Sequence, residues 1–562
     1  MTNKKDLQLR NKLFPYSLFL IPYSLIPLFL IPLFLIPYSF MKRVFVILCF
    51  VLSLFQGFAQ KESPFGVCMH LQGGEEHVQM PTNLRLAHDA GIRFVRADFS
   101  WGTVEGPQGN WHYESLDRVV EEANKTGINM LGLLMGRPSW GRPLWEKLDA
   151  WLLYVENVVK RYKGKVRYWE VWNEPNLYPR FWDKAGDAEN YALVLKATYK
   201  KIKAIDPEAT VVYAGTAGIP MDYIEKSFIA GAGEGFDKMA VHPYRGFISD
   251  MKETVNFKED IDNLRALMAK YKLEHKDIWF TEMGISSMAS VATRSKEVFH
   301  ELKKETGKDW RVALVCDDEF SVDPSFTAQT LRQLFPAGFK LDTTELLALR
   351  RVNANDYDAV FFPPSDNIPL HLSQVITPYL KRYMLGGGKV YYLTRNGNLY
   401  YYGDAVEKET RQALFITQMI CLSLRFGIEK YFTYEMESPG ENFFDREDNF
   451  GLLRRGLSPK PAYHAHVTLG RLFPEGSKID NSIEWKQNDC CVVCWKQPNG
   501  TRVWAIWSPE GSRKVNVKIG KGLQQALHYM GGVLPNVTGS SNTLETGPGI
   551  IYLIGPETLE IN

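Results

Sequence analysis

The chain is 562 residues long, 45% hydrophobic and 23% charged, with a formal net charge of +2. That length exceeds one ordinary domain, and the composition is that of a soluble core-forming chain. The near-neutral balance excludes a basic nucleic-acid-binding footprint, and a chain this size does not need its seven cysteines as a disulfide scaffold.

In chain order, residues 1–40 are low-complexity text with prolines at 22, 27, 32 and 37. That spacing opposes a regular spanning helix. The expectation is that 1–40 is a mis-annotated extension and Met41 the true initiator. Residues 41–59 read as a signal peptide: Lys42-Arg43, the apolar run Val44–Phe55, then small residues before Gln60. Export follows, to a secreted or periplasmic location.

From Pro64, short β-branched and aromatic runs alternate with amphipathic stretches. The runs are Phe65–His70, Ile92–Trp101, Ile128–Met135, Val166–Asn173, Thr210–Thr216, Lys238–Tyr244, Ile278–Thr281 and Lys430–Tyr434. Helical periodicity marks Thr82–Ala90, Tyr113–Lys125, Leu148–Tyr162 and Ala188–Ile205. Eight strands bridged by helices predict an α/β fold, a (β/α)8 TIM barrel, over 60–295 and 405–472. A doubly wound sheet is the rival. It fits less well, because polar side chains end nearly every strand (His70, Arg96, Glu174, His242, Tyr244, Glu282, Glu435) and only a barrel focuses strand ends on one point.

The gap before the last strand is too long for one loop and helix. Residues 308–395 read as an inserted flavodoxin-like α/β domain, with strands Arg311–Cys316, Tyr357–Phe362 and Lys389–Leu393 and helices Pro324–Leu334 and His371–Met384. Tyr357-Asp358-Ala359-Val360 and the Gly386-Gly387-Gly388 triple before Lys389-Val390 resemble the class I glutamine-amidotransferase fold, as in the trimerisation domain of some β-galactosidases. Catalysis by such a domain needs a cysteine on a glycine-flanked elbow. Cys316 is followed by Asp317-Asp318, so the insert is expected to be non-catalytic and to wall the cleft or join copies of the chain in a homo-oligomer. Glu407–Phe426 reads as the helix before strand eight. Residues 476–562 read as a β-sandwich, with strands Val492–Trp495, Arg502–Trp507, Arg513–Ile519 and Gly549–Ile554. Its role is to buttress the barrel, or to bind sugar through Trp495, Trp504 or Trp507. Cys490, Cys491 and Cys494 lack a second ligand pair, so they are expected on a strand and not around zinc.

Two stretches carry chemistry: VRYWEVWNEPN at Val166–Asn176 and IWFTEMG at Ile278–Gly284. Each places a glutamate, Glu174 or Glu282, where an apolar run stops. Two glutamates across one cleft are what acid/base cleavage of a glycosidic bond requires. The acid of such a pair needs a raised pKa, from burial and a neighbouring carboxylate, and Trp169 and Trp172 supply apolar surroundings. Asn173 suits a sugar hydroxyl. The nucleophile must stay ionised, with Tyr244 and Arg96 as its donors. Arg96 has the alternative of an ion pair inside the barrel with Asp98 or a neighbouring strand. His242 and His70 are candidates for orienting the site or touching substrate. Trp101, Trp140, Trp145, Tyr178, Trp182 and Tyr434 are candidates for stacking on sugar rings. Arg137 and Arg142 suit a uronate or sulfate, or pair within their loops. Glu435 suits sugar hydroxyls or a basic partner. No metal-ligand cluster is visible, and no cofactor is expected. A non-catalytic glycan-binding or scaffold barrel is the alternative function.

EVWNEPN with Phe181-Trp182, the stretch Ala188–Gly215, VHPY and FTEMG resemble clan A glycoside hydrolases, closest to family 39, the β-xylosidase and α-L-iduronidase family. The resemblance implies a retaining glycosidase on a β-linked glycan. Glu174 would be the acid/base, Glu282 the nucleophile, Asn173 on the 2-hydroxyl, and Tyr244 in contact with the nucleophile.

Overall fold

The computed structural model describes residues 62–288, 291–292, 310–316, 329, 339–363, 379–380, 382–384, 386–393, 399–401, 404–441, 445–538 and 540–562. The extension, the signal peptide and most of both helices expected in the insert lie outside them.

Barrel strands form at Phe65–Met69, Phe94–Ser100, Asn129–Met135, Tyr168–Val171, Met239–His242, Ile278–Met283 and Lys430–Thr433, all pairing in parallel. The fifth strand runs in two pieces. Thr210–Val212 pairs with strand four, and Thr216–Ala217 pairs with strand six. A bridge from Val212 to Lys238 links the two, so the eight-stranded ring closes. The TIM barrel is therefore the fold, with two further β-rich regions.

Strand alternation explains the interior. Cys68, Phe94, Leu131, Tyr168, Val212, Ala240, Trp279 and Phe432, one from each strand, form a single apolar plug. Two residues further along, on the same face, come Arg96, Glu170, His242 and Thr281. The plug is thus a floor, and the polar layer lies on it at the C-terminal end.

Helices follow the amphipathic stretches closely: Glu114–Thr126, Leu148–Tyr162, Ala188–Ile205 and Asp404–Arg425. The first helix departs from expectation. It runs Gly74–Asp89 with Pro81 inside it, where periodicity predicted a helix over Thr82–Ala90. Proline withholds an N–H donor, but packing of Met80, Leu84 and Ala87 holds the extra turns.

In the insert, Phe339–Thr344, Trp310–Val315, Ala359–Phe362 and Lys389–Leu393 lie parallel in that spatial order. Phe339–Thr344 was not anticipated; FKLDTT carries little apolar signal. Leu399–Tyr401 adds an antiparallel strand, and Val291–Ala292, assigned to the barrel on sequence grounds, pairs with it.

The C-terminal region is two antiparallel sheets. One orders Lys478–Ile479, Cys490–Lys496, Arg502–Trp507, Ile551–Ile554 and Gln525–His528; the other orders Ser541–Thr546, Arg513–Ile519 and Leu559–Ile561. Cys490, Val492, Cys494 and Trp504 face the second sheet, while Cys491, Val493, Trp495 and Trp507 join the barrel's own core. Trp495 Nε1 donates to the Leu472 carbonyl at the end of the last barrel helix. All three tryptophans are at most 2% exposed, which corrects their candidacy as sugar platforms. The region buttresses the barrel. Trp507→Ala is expected to cost about 3–5 kcal/mol, read as a lowered denaturation midpoint in urea or heat.

Candidate active site

The Arg96 guanidinium, on strand two, lies at the centre of the polar layer. Nε donates to Glu170 at 2.5 Å, one terminal nitrogen to Glu282 at 2.5 Å and the other to Asn173 Oδ1 at 2.8 Å. Burial alone would make Arg96 less basic, but the two carboxylates outweigh it and hold the charge firmly. The expected partner Asp98 is instead bonded to His70 Nδ1 at 2.7 Å. Glu170 was not anticipated. Its one sequence signal is an acid in the middle of the apolar strand YWEV. Fully buried, it also accepts from Gly215 N–H and from the Thr281 hydroxyl, both at 2.9 Å.

Two local departures from regular geometry aim the glutamates. On strand seven, Tyr431 pairs with Phe280 but Thr433 pairs with Met283, leaving an extra residue on the strand-seven side. Strict alternation would face Glu282 away from Thr281. This bulge lets both face the barrel mouth. On strand four, Trp172 and Glu174 take left-handed φ angles of 76° and 43°, a sparsely populated region for such residues. Glu174 N–H donates to the Gly215 carbonyl at 2.9 Å, pinning that turn. Gly215 is required here: a Cβ would lie 1.8 Å from His242 Nε2.

A carboxylate oxygen of Glu174, one of Glu282 and a ring nitrogen of His242 all lie within 4.8 Å of one another. His242 Nδ1 is 3.0 Å from Glu174 and 3.5 Å from Glu282, and Nε2 is 3.1 Å from Thr281 Oγ1. The Thr281 proton is committed to Glu170, so its oxygen accepts from Nε2–H. The His242 Nδ1 is left facing both carboxylates. Burial raises the pKa of Glu282, but the charges of His242 and Arg96 and the Tyr244 hydrogen bond overcome this and leave it below the usual carboxylate range. Tyr244 donates its phenol to Glu282 at 3.1 Å, and burial beside that carboxylate keeps the phenol protonated.

Several expected contacts are relocated. Arg96 is buried and occupied by protein groups, so it positions others and offers nothing to a substrate. Trp101 is fully buried, its indole bonded to Glu105, and Trp182 is buried with its indole on Asp187. Neither presents a face to a sugar. Arg137 and Arg142 both pair with Asp183. Glu435 is buried, 3.6 Å from His70 Nε2. Tyr434 packs edge-on between His70, Tyr244 and Phe450 and lines the mouth. A cleft of about 380 Å³ opens beside His70, Asp98, Ser100 and Gly136.

Residues 58–313 match the family described as Cellulase (glycosyl hydrolase family 5). The fold is similar to that of a family 39 glycoside hydrolase from the gut symbiont Bacteroides cellulosilyticus WH2, at 18% identity over 88% of this chain and 80% of that one, with a TM-score of 0.52. More distant are a monomeric beta-xylosidase from Caulobacter crescentus CB15 (12% identity, 89% and 97% covered, TM-score 0.46) and a family 30 subfamily 8 xylanase from Clostridium acetobutylicum (11% identity, 89% and 98% covered, TM-score 0.47). The match spans seven of the eight barrel strands, and the chain is by it a glycoside hydrolase.

The depressed Glu282 pKa places the acid limb of the kcat/KM profile below the ordinary carboxylate value of about 4.3. Tyr244→Phe removes one donor to the ionised form, so that limb should move to higher pH. By the same linkage, stability from ionised Glu282 is complete above the unfolded carboxylate pKa and is lost as pH falls through the lower folded value. Gly215→Ala should displace His242 and lower turnover, read by steady-state kinetics alongside circular dichroism to show that the fold persists.

Proposed function

We propose that the chain is an exported retaining glycosidase that cleaves a β-linked oligo- or polysaccharide by double displacement, with Glu282 as nucleophile and Glu174 as acid/base. The observation that carries this is the separation of the two carboxylates. Their nearest oxygens, within 4.8 Å, accord better with the roughly 5–5.5 Å of a retaining pair than with the about 6.5–9.5 Å between the carboxyls of an inverting enzyme.

In the first step a Glu282 oxygen bonds to the anomeric carbon as the glycosidic C–O bond breaks, and the Glu174 proton passes to the departing oxygen. In the second, water attacks that carbon, gives its proton to Glu174 and frees Glu282. Each residue suits its part. Glu282 is held ionised among Arg96, His242 and Tyr244, while Glu174 faces the Nδ1 of His242. Asn173 spends Oδ1 on Arg96, which turns its amide N–H groups to a sugar hydroxyl. A non-catalytic glycan-binding barrel has no need of two carboxylates so arranged. Export is supported by the charged and apolar run from Met41 to Phe55. Among the described residues, no helix is long and apolar enough to cross a membrane.

Glu174→Gln and Glu282→Gln should each lower kcat by orders of magnitude with little change in melting temperature, measured on a panel of aryl β-glycosides. Azide should rescue Glu282→Gly and yield a glycosyl azide of inverted configuration. Wild-type-like rates in either glutamine variant, or an inverted product from the parent enzyme seen by proton NMR, would overturn the assignment.

A further inference from the structure

A second cavity, of about 550 Å³, opens among the loops that follow strands six, seven and eight. It is lined by Tyr244, which bonds Glu282, and by Gly284, two residues beyond it. Its volume lies within the roughly 300–1,000 Å³ of ligand pockets. Its charge is unusual. Arg245, Lys408, Arg411 and Arg446 line it, and no acidic side chain among the described residues does.

The cations differ in what already holds them. Arg245 is paired with Asp260 at 2.7 Å. Lys408, Arg411 and Arg446 have no ion-pair partner among the described residues. Two of them rest on aromatic faces: the Arg411 guanidinium lies 4.8 Å from the Phe247 ring centre, and that of Arg446 lies 5.4 Å from Phe450. An aromatic face fixes a guanidinium plane without using its N–H donors. Behind them Gln412, buried, donates through Nε2 to the carbonyls of Ile285, Asn449 and Phe450. That side chain ties the loops after strands seven and eight to the helix carrying Lys408 and Arg411, so the wall is pre-built. Arg137 and Arg142, the cations that the sequence suggested for such a role, instead share Asp183 as an ion-pair partner.

We infer that this cavity is a subsite for a negatively charged sugar substituent, a carboxylate or a sulfate ester, and that the glycan substrate is anionic. The inference deepens the glycosidase reading and rests on it. Planar guanidinium forks and an ammonium group in a half-buried pocket recognise both groups through charge-assisted hydrogen bonds. Neutral sugars bring nothing to offset the mutual repulsion of the cations.

The test is calorimetric binding to the Glu282→Gln enzyme, so that nothing is turned over. One β-linked oligosaccharide backbone is compared in neutral, glucuronic-acid-bearing and sulfated forms. A charged form should bind at least about tenfold tighter than the neutral one, the gap narrowing as salt rises. Whichever charged form wins identifies the substituent. Adding Lys408→Gln and Arg411→Gln together should collapse the charged-to-neutral ratio toward one, with melting temperature as the control for folding. Equal binding of all three forms, or a ratio that the double substitution does not change, would overturn the subsite. Either result leaves the glycosidase reading standing as long as Glu282→Gln abolishes turnover. Failure of the parent enzyme to cleave any glycan would overturn the glycosidase reading, while the charged-to-neutral ratio still reports on the pocket.

Discussion

The active end of the barrel depends on one buried guanidinium. Arg96 bonds Glu170, Glu282 and Asn173 at once, so strands two, four and seven converge on a single side chain. Removing one partner of such a buried network leaves an uncompensated charge and costs on the order of 3–5 kcal/mol. Glu170 has no place in bond cleavage. It answers the Arg96 charge, orients Thr281 and through it holds the imidazole of His242 in place. Glu174, on the other nitrogen of that imidazole, is thereby linked to a fully buried carboxylate.

Around that network the backbone departs from regularity beside both glutamates. A bulge turns Glu282 inward on strand seven, and two left-handed residues turn Glu174 across the mouth from strand four. Left-handed φ at non-glycine positions costs of order 1–3 kcal/mol each, and persists only where surroundings over-determine it. Here the Glu174 N–H to Gly215 bond and the imidazole packed against Gly215 supply the constraint. The plug below, one side chain from every strand, is rigid enough to bear it.

Aromatic content has a similarly divided meaning. Trp101, Trp151, Trp169, Trp172 and Trp182 are all buried, and they knit strands to the helices outside them in edge-to-face pairs. Tyr244 and Tyr434 meet edge to face above Glu282 and are not sealed into that packing.

Strand and helix order, hence the barrel, was legible in the chain because burial imposes periods of two and about 3.6 residues on the text. Glu174 and Glu282 were legible because each is a charged group where an apolar run ends. Phe339–Thr344 and the small C-terminal strands were not, for they lack an alternating apolar signal. Glu170 was overlooked because an acid inside a strand has meaning only beside its cation. Trp101 and Lys408 show the remaining limit: a tryptophan and a lysine read alike whether they face core, solvent or ligand. Local spacing determines which face of an element a residue takes, but which faces meet, and which charges are left unanswered there, is a property of the closed barrel alone.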